Sequence, residues 1–344
     1  MTRIVGIDTG GTYTDLVAYD PNEGSLTYSK TPTEQSDLAG GAIACLTQAA
    51  ISPDNLDILK HGTTQVINAF IGRGGAPTAL LTTVGFRDLL EITRGNRPIA
   101  FQLQFEKETP LVPADLRFEV GERMDGTGAI LQPLDLAGLE PIARELKKRK
   151  IQALAISFLN AYLNPHHEEL AATWFRENMP GLFVSIGTEL SREWFEYERT
   201  STTVANAYVG PGMKRYLDSL TSGLRERGYG ANIHMMASNG GVLTPAQAQA
   251  QPVALVESGP VGGCIGAGAF AEAMNLPRIV AFDMGGTTAK CALIEDGAFE
   301  VLPTYYIGGY ARGYPVRSAV LDIAEVGAGG GSIVSVSTQG RLRV

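Results

Sequence analysis

Along this chain, short apolar runs alternate with longer segments whose apolar positions recur every three or four residues, the pattern of strands interleaved with amphipathic helices. The runs at 78–83, 151–158, 182–186 and 233–237 read as strands. Segments 36–50 (with Ser36 as N-cap), 139–150 (basic in its last turn), 166–178 and 213–227 (ended by Gly228) read as helices. This alternation predicts an α/β architecture, mixed sheets with flanking helices. Residues 94–128, rich in Pro, Gly and charge, interrupt it and read as an insertion or the edge of a subdomain.

The pattern also repeats itself. Arg3-Ile-Val-Gly-Ile-Asp-Thr-Gly-Gly-Thr12 recurs as Arg278-Ile-Val-Ala-Phe-Asp-Met-Gly-Gly-Thr287, with seven of ten positions identical at a constant offset of 275. In both copies an apolar strand ends in an acidic residue, turns on Gly-Gly and returns through a second apolar run (16–19; 291–294), which predicts two β-hairpins of one design. The expected organisation is a first half opened by one hairpin (1–75), its remainder with an inserted α/β subdomain (76–230), and the start of a second half built on the other hairpin (231–344).

The hairpins carry candidate chemistry. Without side chains at Gly10 and Gly11 the backbone can bring N–H groups close to an anion, a cradle for phosphate. Thr9, Thr12 and Thr14 add hydroxyls and Asp15 closes the motif. Asp8, at the strand end, suits a magnesium ion held through water. Gly285, Gly286, Thr287 and Thr288 repeat the arrangement around Asp283. Lys290 is open to two readings, a phosphate contact or a structural lysine. The later cluster Gly327, Gly329, Gly330 and Gly331 fits either a backbone passing flat against a purine or ribose, or a plain turn. No G-x-x-x-x-G-K-[ST] loop and no well-placed G-x-G-x-x-G motif is present, which disfavours P-loop and dinucleotide folds.

Composition narrows the setting. The 344 residues are 44% hydrophobic, enough for a large core, and the formal charge of −8 comes without a basic stripe, which argues against nucleic acid. Cys45, Cys264 and Cys291 lie far apart, so neither a disulfide framework nor a cysteine metal cluster is indicated and a reducing cytoplasm is expected. No apolar run is long enough for a membrane span, and the apolar stretch before Asp8 is too short for a secretory signal.

Two resemblances follow from these residues. The paired Asp-x-Gly-Gly-Thr hairpins resemble those of the actin, sugar-kinase and chaperone ATPases, which implies a duplicated ribonuclease H-like fold closing on ATP with magnesium. More specifically, nearly the whole chain resembles the ATP-binding A-type (α) subunit of the hydantoinase/oxoprolinase family. That rests on Gly6-Ile-Asp-Thr-Gly-Gly-Thr-Tyr-Thr-Asp15, His61-Gly-Thr-Thr64, Glu196-Tyr-Glu-Arg-Thr-Ser-Thr-Thr203, Asn206-Ala-Tyr208, Ser238-Asn-Gly-Gly241, Ser258-Gly-Pro-Val-Gly-Gly263, Phe282-Asp-Met-Gly-Gly-Thr-Thr288, Asp322 and Gly327-Ala-Gly-Gly-Gly-Ser332. It implies phosphorylation of the carbonyl oxygen of a small cyclic amide, or of a ketone in a carboxylase branch, with a B-type partner subunit completing a hetero-oligomer. Members of that family are longer, so the second half is expected to be truncated and the adenine pocket incomplete.

Asp8, Asp283 and His61 are the expected catalytic residues, although His61 fits equally a helix-capping role. Arg94, Arg97, Glu198, Arg199 and Asn239 are the candidates for holding substrate. For the arginines the alternative is a solvated loop; for Glu198 and Arg199, an ion pair that caps a helix. Ser238–Gly241 and Ser258–Gly263 read as tight turns near ligand, and Ser258 lacks the surroundings of a hydrolase nucleophile.

Overall fold

The computed structural model describes residues 3–34, 36–95, 101–102, 104–230, 232–285 and 289–344. Strands β1 (Arg3–Thr9), β2 (Tyr13–Asp20) and β3 (Ser25–Pro32) form an antiparallel meander. Helix α1 (Leu38–Gln48) follows, and Asp37, rather than Ser36, caps it by accepting from Gly40 N at 2.9 Å. β4 (Leu56–Thr63) then pairs parallel to β1 and runs into the short α2 (Gln65–Ile71).

A second, four-stranded sheet is inserted next. It takes β5 (Thr78–Thr83), α3 (Leu89–Ile92), β6 (Arg117–Val120), the ribbon β7 (Arg123–Met124) and β8 (Ile130–Gln132), α4 (Leu139–Lys148), β9 (Ala153–Ser157), α5 (His166–Asn178), β10 (Phe183–Ile186) and α6 (Gly187–Leu190). Its order is β10-β9-β5-β6, all parallel, and β5 and β9 are buried along their whole length, as a parallel sheet covered on both faces requires.

α7 (Glu196–Glu226) is one helix of 31 residues. The sequence suggested a start at 213, because Pro211 removes a donor and crowds the preceding turn. The helix nonetheless runs through Pro211, and the Tyr208 carbonyl accepts from Ala76 N at 2.9 Å, outside the helix. Gly210 also lets α7 lie against the Phe183 ring, where a Cβ would overlap it.

The chain then returns to the first sheet through β11 (Asn232–Met236), parallel to β4, and β12 (Val242–Leu243). The order β12-β11-β4-β1-β2-β3 is that of a ribonuclease H-like half. The first sheet thus takes in β11, which lies just beyond residue 231, the point where the sequence placed the start of the second half. After α8 (Pro245–Ala250), helix α9 (Ser258–Ala273) packs against β4 and β11 on one side and against β13 (Arg278–Met284) and β14 (Ala289–Glu295) on the other. β14 also pairs with β15 (Ala298–Phe299) and β20 (Ala324–Val326). Between them lie β16 (Val301–Leu302), β17 (Tyr305–Ile307), β18 (Tyr314–Val316) and β19 (Val320–Leu321).

The duplication is exact in register. β1 and β2 pair Asp8 with Asp15, and β13 and β14 pair Asp283 with Lys290, the same partners displaced by 275. The fold is a duplicated, actin-like α/β architecture with mixed sheets and flanking helices.

Candidate active site

The first hairpin turns tightly at its tip, where Gly10 N donates to Tyr13 O at 3.0 Å. Strand alternation sends Asp8 to the open face and Thr9 into the core. The Asp8 carboxyl is reached by solvent yet closely surrounded by backbone. A Cβ on Gly62 would sit 2.8 Å from its Oδ1, and one on Gly259 would sit 3.1 Å away. Both glycines are required by this approach. Gly62 lies at the end of β4, and Gly259 in the first turn of α9. Thr63 N donates to Ser258 Oγ at 3.3 Å, which fastens the start of α9 to the end of β4.

These surroundings raise the Asp8 pKa to about 6, first by desolvation and then by the negative charges of Asp15 and Asp283. Asp283 is thus close enough to Asp8 to be felt, so the two hairpins face one site. Gly285 O accepts from Gly330 N at 3.0 Å, which brings the third glycine cluster against the second hairpin. In that cluster Gly329 N donates to Ser332 Oγ at 2.9 Å, while Gly327 and Gly331 are exposed. Gly286, Thr287, Thr288 and Arg97 lie outside the described residues.

Other expected residues stand elsewhere. His61 does not face the cleft: its ring is buried, Nδ1 is 3.1 Å from Ile7 O and Nε2 bonds the Tyr216 hydroxyl. Burial lowers its pKa to about 4, so it is a neutral core imidazole. Thr14 is fully buried and bonds Thr33 at 3.0 Å, which removes its hydroxyl from any phosphate at the tip. Asp15 pairs with Lys30 at 2.8 Å, while Thr12 stays exposed at the turn. Lys290 is held by the buried Glu257 at 2.6 Å, and Tyr305 donates to the same carboxylate. It therefore acts as a structural lysine in this conformation.

The four substrate candidates among the described residues do not converge. Arg94 and Glu198 form a bidentate pair, at 2.9 and 2.6 Å, in the wall of a cavity of about 670 Å³. That cavity has no hairpin residue in its lining. Arg199 is buried in the inserted subdomain, where it bonds Glu168 at 3.2 Å and the Phe158 carbonyl. Glu168 also accepts from Phe158 N and Thr188 N, and burial pushes its pKa up. Asn239 accepts from Gly241 N at 2.9 Å and shapes a turn in which Gly240 has φ 87°. Ser258–Gly263, read as a turn, is the first part of α9, and Pro260 near the start was the available signal.

Sequence reasoning passed over the residues after Gly62. Thr64 N and Thr64 Oγ1 both reach Thr9 O, at 3.2 and 3.4 Å, and Asn68 Nδ2 donates to Thr64 Oγ1 at 3.1 Å. The start of α2 is thereby tied to the first hairpin. Beneath that hairpin lies a cavity of about 430 Å³ whose lining includes Thr9, Gly10, Thr64, Gln65 and Asn68. Among the described residues no cluster suits a protein-bound metal, and no helix is long and apolar enough to cross a membrane.

Comparison with known proteins agrees with this architecture. Residues 4–179 match the hydantoinase/oxoprolinase N-terminal region and residues 199–344 match hydantoinase/oxoprolinase. An uncharacterized protein of Methanocaldococcus jannaschii is 40% identical over 99% of this chain and 52% of its own length. The caprolactamase subunit alpha of Pseudomonas jessenii is 31% identical, over 99% of this chain and 50% of its own. The crystal structure of that ATP-dependent caprolactamase superposes with a TM-score of 0.83 at 30% identity, covering 97% of this chain and 49% of the other. Nucleotide-free acetone carboxylase superposes with a TM-score of 0.84 at 25% identity, covering 99% and 50%. The chain spans about half the length of these relatives. By the match along both of its halves, and by the paired hairpins at Asp8 and Asp283, the chain belongs to the hydantoinase/oxoprolinase family.

Proposed function

We propose that this chain is the ATP-binding subunit of a cyclic amide hydrolase, of the hydantoinase, N-methylhydantoinase or 5-oxoprolinase type, and that it phosphorylates the substrate carbonyl for ring opening with a B-type partner subunit. One observation carries the reading: the Asp8 carboxyl stands between Gly62 and Gly259, on a hairpin whose duplicate brings Asp283 to face it. The residues fit magnesium and a polyphosphate. A carboxylate oxygen is a suitable ligand for a hard cation, and two glycine turns leave the space that phosphate oxygens need. When bound, ATP supplies the phosphoryl group and magnesium neutralises the charge that develops on it.

This chain's residues do the rest by placement. Gly62 and Gly259 leave room for the Asp8 carboxylate between β4 and α9, and that carboxylate would hold a hydrated cation. Ser258 keeps the N-terminal end of α9 beside it, where the helix dipole favours negative charge. In the transfer the amide oxygen attacks the terminal phosphorus, an O–P bond forms, and the bond to the ADP oxygen breaks. Amide resonance is lost in the resulting imidate, so its carbon accepts water; the tetrahedral adduct then breaks its C–N bond as the nitrogen takes up a proton, which opens the ring to an amine and an acyl phosphate, and a second water releases phosphate and leaves the carboxylate.

A second reading, the ATP-binding subunit of an acetone-type carboxylase, draws support from the acetone carboxylase superposition. Phosphate release measured in the assembled enzyme separates the two. Stimulation by hydantoin, 5-oxoproline or a simple lactam is expected. Stimulation by acetone with bicarbonate instead moves the assignment to the carboxylase branch. ATP binding without carbonyl-dependent turnover leaves only a nucleotide switch.

A further inference from the structure

We infer that Tyr216, on α7, is a positioning residue for the phosphoryl transfer: with His61 and Thr9 it forms a buried hydrogen-bonded chain that meets β1 on both sides of Asp8 and so fixes the peptide that aims the carboxylate. This rests on the role proposed above for Asp8.

Strand alternation puts Ile7 and Thr9 on the buried side of β1 and Asp8 on the open side. Register places His61 beside Ile7 and Gly62 beside Asp8. The His61 ring turns under the sheet, where Nδ1 lies 3.1 Å from Ile7 O and Nε2 meets the Tyr216 hydroxyl. Ile7 O belongs to the planar peptide that joins Ile7 to Asp8, so a bond to it holds one of the two planes that orient the Asp8 side chain. Tyr216 reaches the other neighbour as well. Thr9 Oγ1, buried and with no other partner among the described residues, stands beside the same hydroxyl.

The chain has one direction. A carbonyl oxygen only accepts, so the imidazole proton sits on Nδ1. Burial lowers the His61 pKa to about 4 and keeps the ring neutral, which leaves Nε2 bare. Nε2 therefore accepts from the Tyr216 O–H, whose own pKa burial pushes up, and the tyrosine oxygen can accept from Thr9 Oγ1–H. A neutral chain of this kind orients its neighbours and carries no charge. Orientation matters at Asp8, because a Cβ on Gly62 or Gly259 would already lie 2.8 or 3.1 Å from its Oδ1. A tilt of the Ile7–Asp8 peptide has little room to be absorbed, and a misplacement of about 1 Å can cost on the order of 10²-fold in rate.

Tyr216→Phe removes the central hydroxyl and keeps the ring. In the assembled enzyme it is expected to lower kcat for carbonyl-dependent phosphate release by about tenfold or more, with KM for the carbonyl compound within about twofold of wild type. Thr9→Val is expected to lower kcat by about threefold, and Thr9→Ser, which keeps the hydroxyl, to restore it. Leu220→Ala opens a cavity in the core face of the same helix; it is expected to lower Tm at least as far as Tyr216→Phe and to leave kcat unchanged. In the full chain labelled at histidine, NMR is expected to show His61 protonated at Nδ1 and bare at Nε2, with Tyr216→Phe moving the Nε2 resonance alone. A wild-type His61 protonated at Nε2, a Tyr216→Phe enzyme at wild-type kcat, or a Leu220→Ala enzyme that loses kcat in step with Tm overturns the inference. If Tyr216→Phe does not fold, the Thr9 pair decides, and equal rates for Val and Ser overturn it. Should no carbonyl compound stimulate the wild type, the function falls, and calorimetry with magnesium and a non-hydrolysable ATP analogue decides the positioning. Affinity about tenfold weaker in Tyr216→Phe but not in Leu220→Ala keeps it; equal affinity removes it.

Discussion

The two hairpins share a sequence and a register but not an environment. In the first, Val5, Ile7 and Ala18 are 0%, 3% and 1% exposed, packed beneath α1 and α7. Their counterparts at the offset of 275, Val280, Phe282 and Leu293, are 59%, 66% and 71% exposed. In this chain, which spans about half the length of its relatives, one face of the second hairpin meets solvent, while α9 covers the opposite face through Ala281 and Ala292. The first copy is covered by α1 and α7, burial worth about 1.5–3 kcal/mol for each large apolar side chain. The first hairpin also has a feature the second lacks among the described residues, a carboxylate given room by two glycines, one on β4 and one on α9.

Opposed substitutions in the two copies put this contrast at risk. Ile7→Asp, which places a charge in the core, is expected to abolish cooperative thermal unfolding, while Phe282→Asp shifts stability by no more than about 0.5 kcal/mol. Equal losses in denaturant titrations would mean that the second face is covered after all. Asp8→Asn is expected to lower substrate-dependent phosphate release by about 10²–10³-fold, with a smaller loss for Asp283→Asn. Matching losses would make the two carboxylates equivalent and erase the asymmetry.

The next effect is smaller. Gly62→Ala crowds Asp8 Oδ1 at 2.8 Å and is expected to cost about tenfold in turnover, whereas a Cβ on Gly330 meets Gly285 O at an ordinary 3.8 Å and Gly330→Ala leaves turnover within about twofold. The smallest concerns pH. The Asp8 pKa is raised, so its contribution to stability is complete below 3.8 and is lost as pH rises through about 6. Asp8→Asn removes that loss, and its melting temperature relative to wild type is expected to climb between pH 4 and pH 7. Solvent reaches the carboxyl, which keeps the gain to about 1 kcal/mol or less. A difference that does not vary with pH would show that Asp8 does not titrate there.

Much of the fold was legible because its signals are local. The strand at 78–83 and the helix at 166–178 appear with the bounds that periodicity gave, and Gly-Gly turns between alternating residues fixed both hairpins. What failed was non-local. The stretch of α7 before Pro211 is visible only in the fold, where residues 197–210 are all buried against other elements. Arg199, expected to hold substrate or cap a helix, is instead buried against Glu168 of another helix, a pairing that only the fold creates. Removing Arg199 alone would strand a buried carboxylate at a cost of about 3–5 kcal/mol. His61 was misplaced for a different reason. A polar residue at a strand end looked catalytic, although the alternation of β4 puts it on the buried side with Leu59 and Thr63. The glycines at 62 and 259 were visible as motif letters, but their purpose, room for Asp8, exists only once β4 and α9 meet.

α9 has a mechanical consequence. Its first turn rests against Asp8, and its far end leads within a few residues into β13, the strand that carries Asp283. Sixteen residues make a rod of about 24 Å. A rod seated at one jaw and continuous with the other fixes their separation along its axis, so sliding the jaws apart would require breaking the Thr63–Ser258 joint. Twisting about the axis keeps that joint and asks only for rotation at 275–277, where Asn275 already has φ 54°. The helix that joins the two hairpins is thus also the wall behind the Asp8 carboxylate.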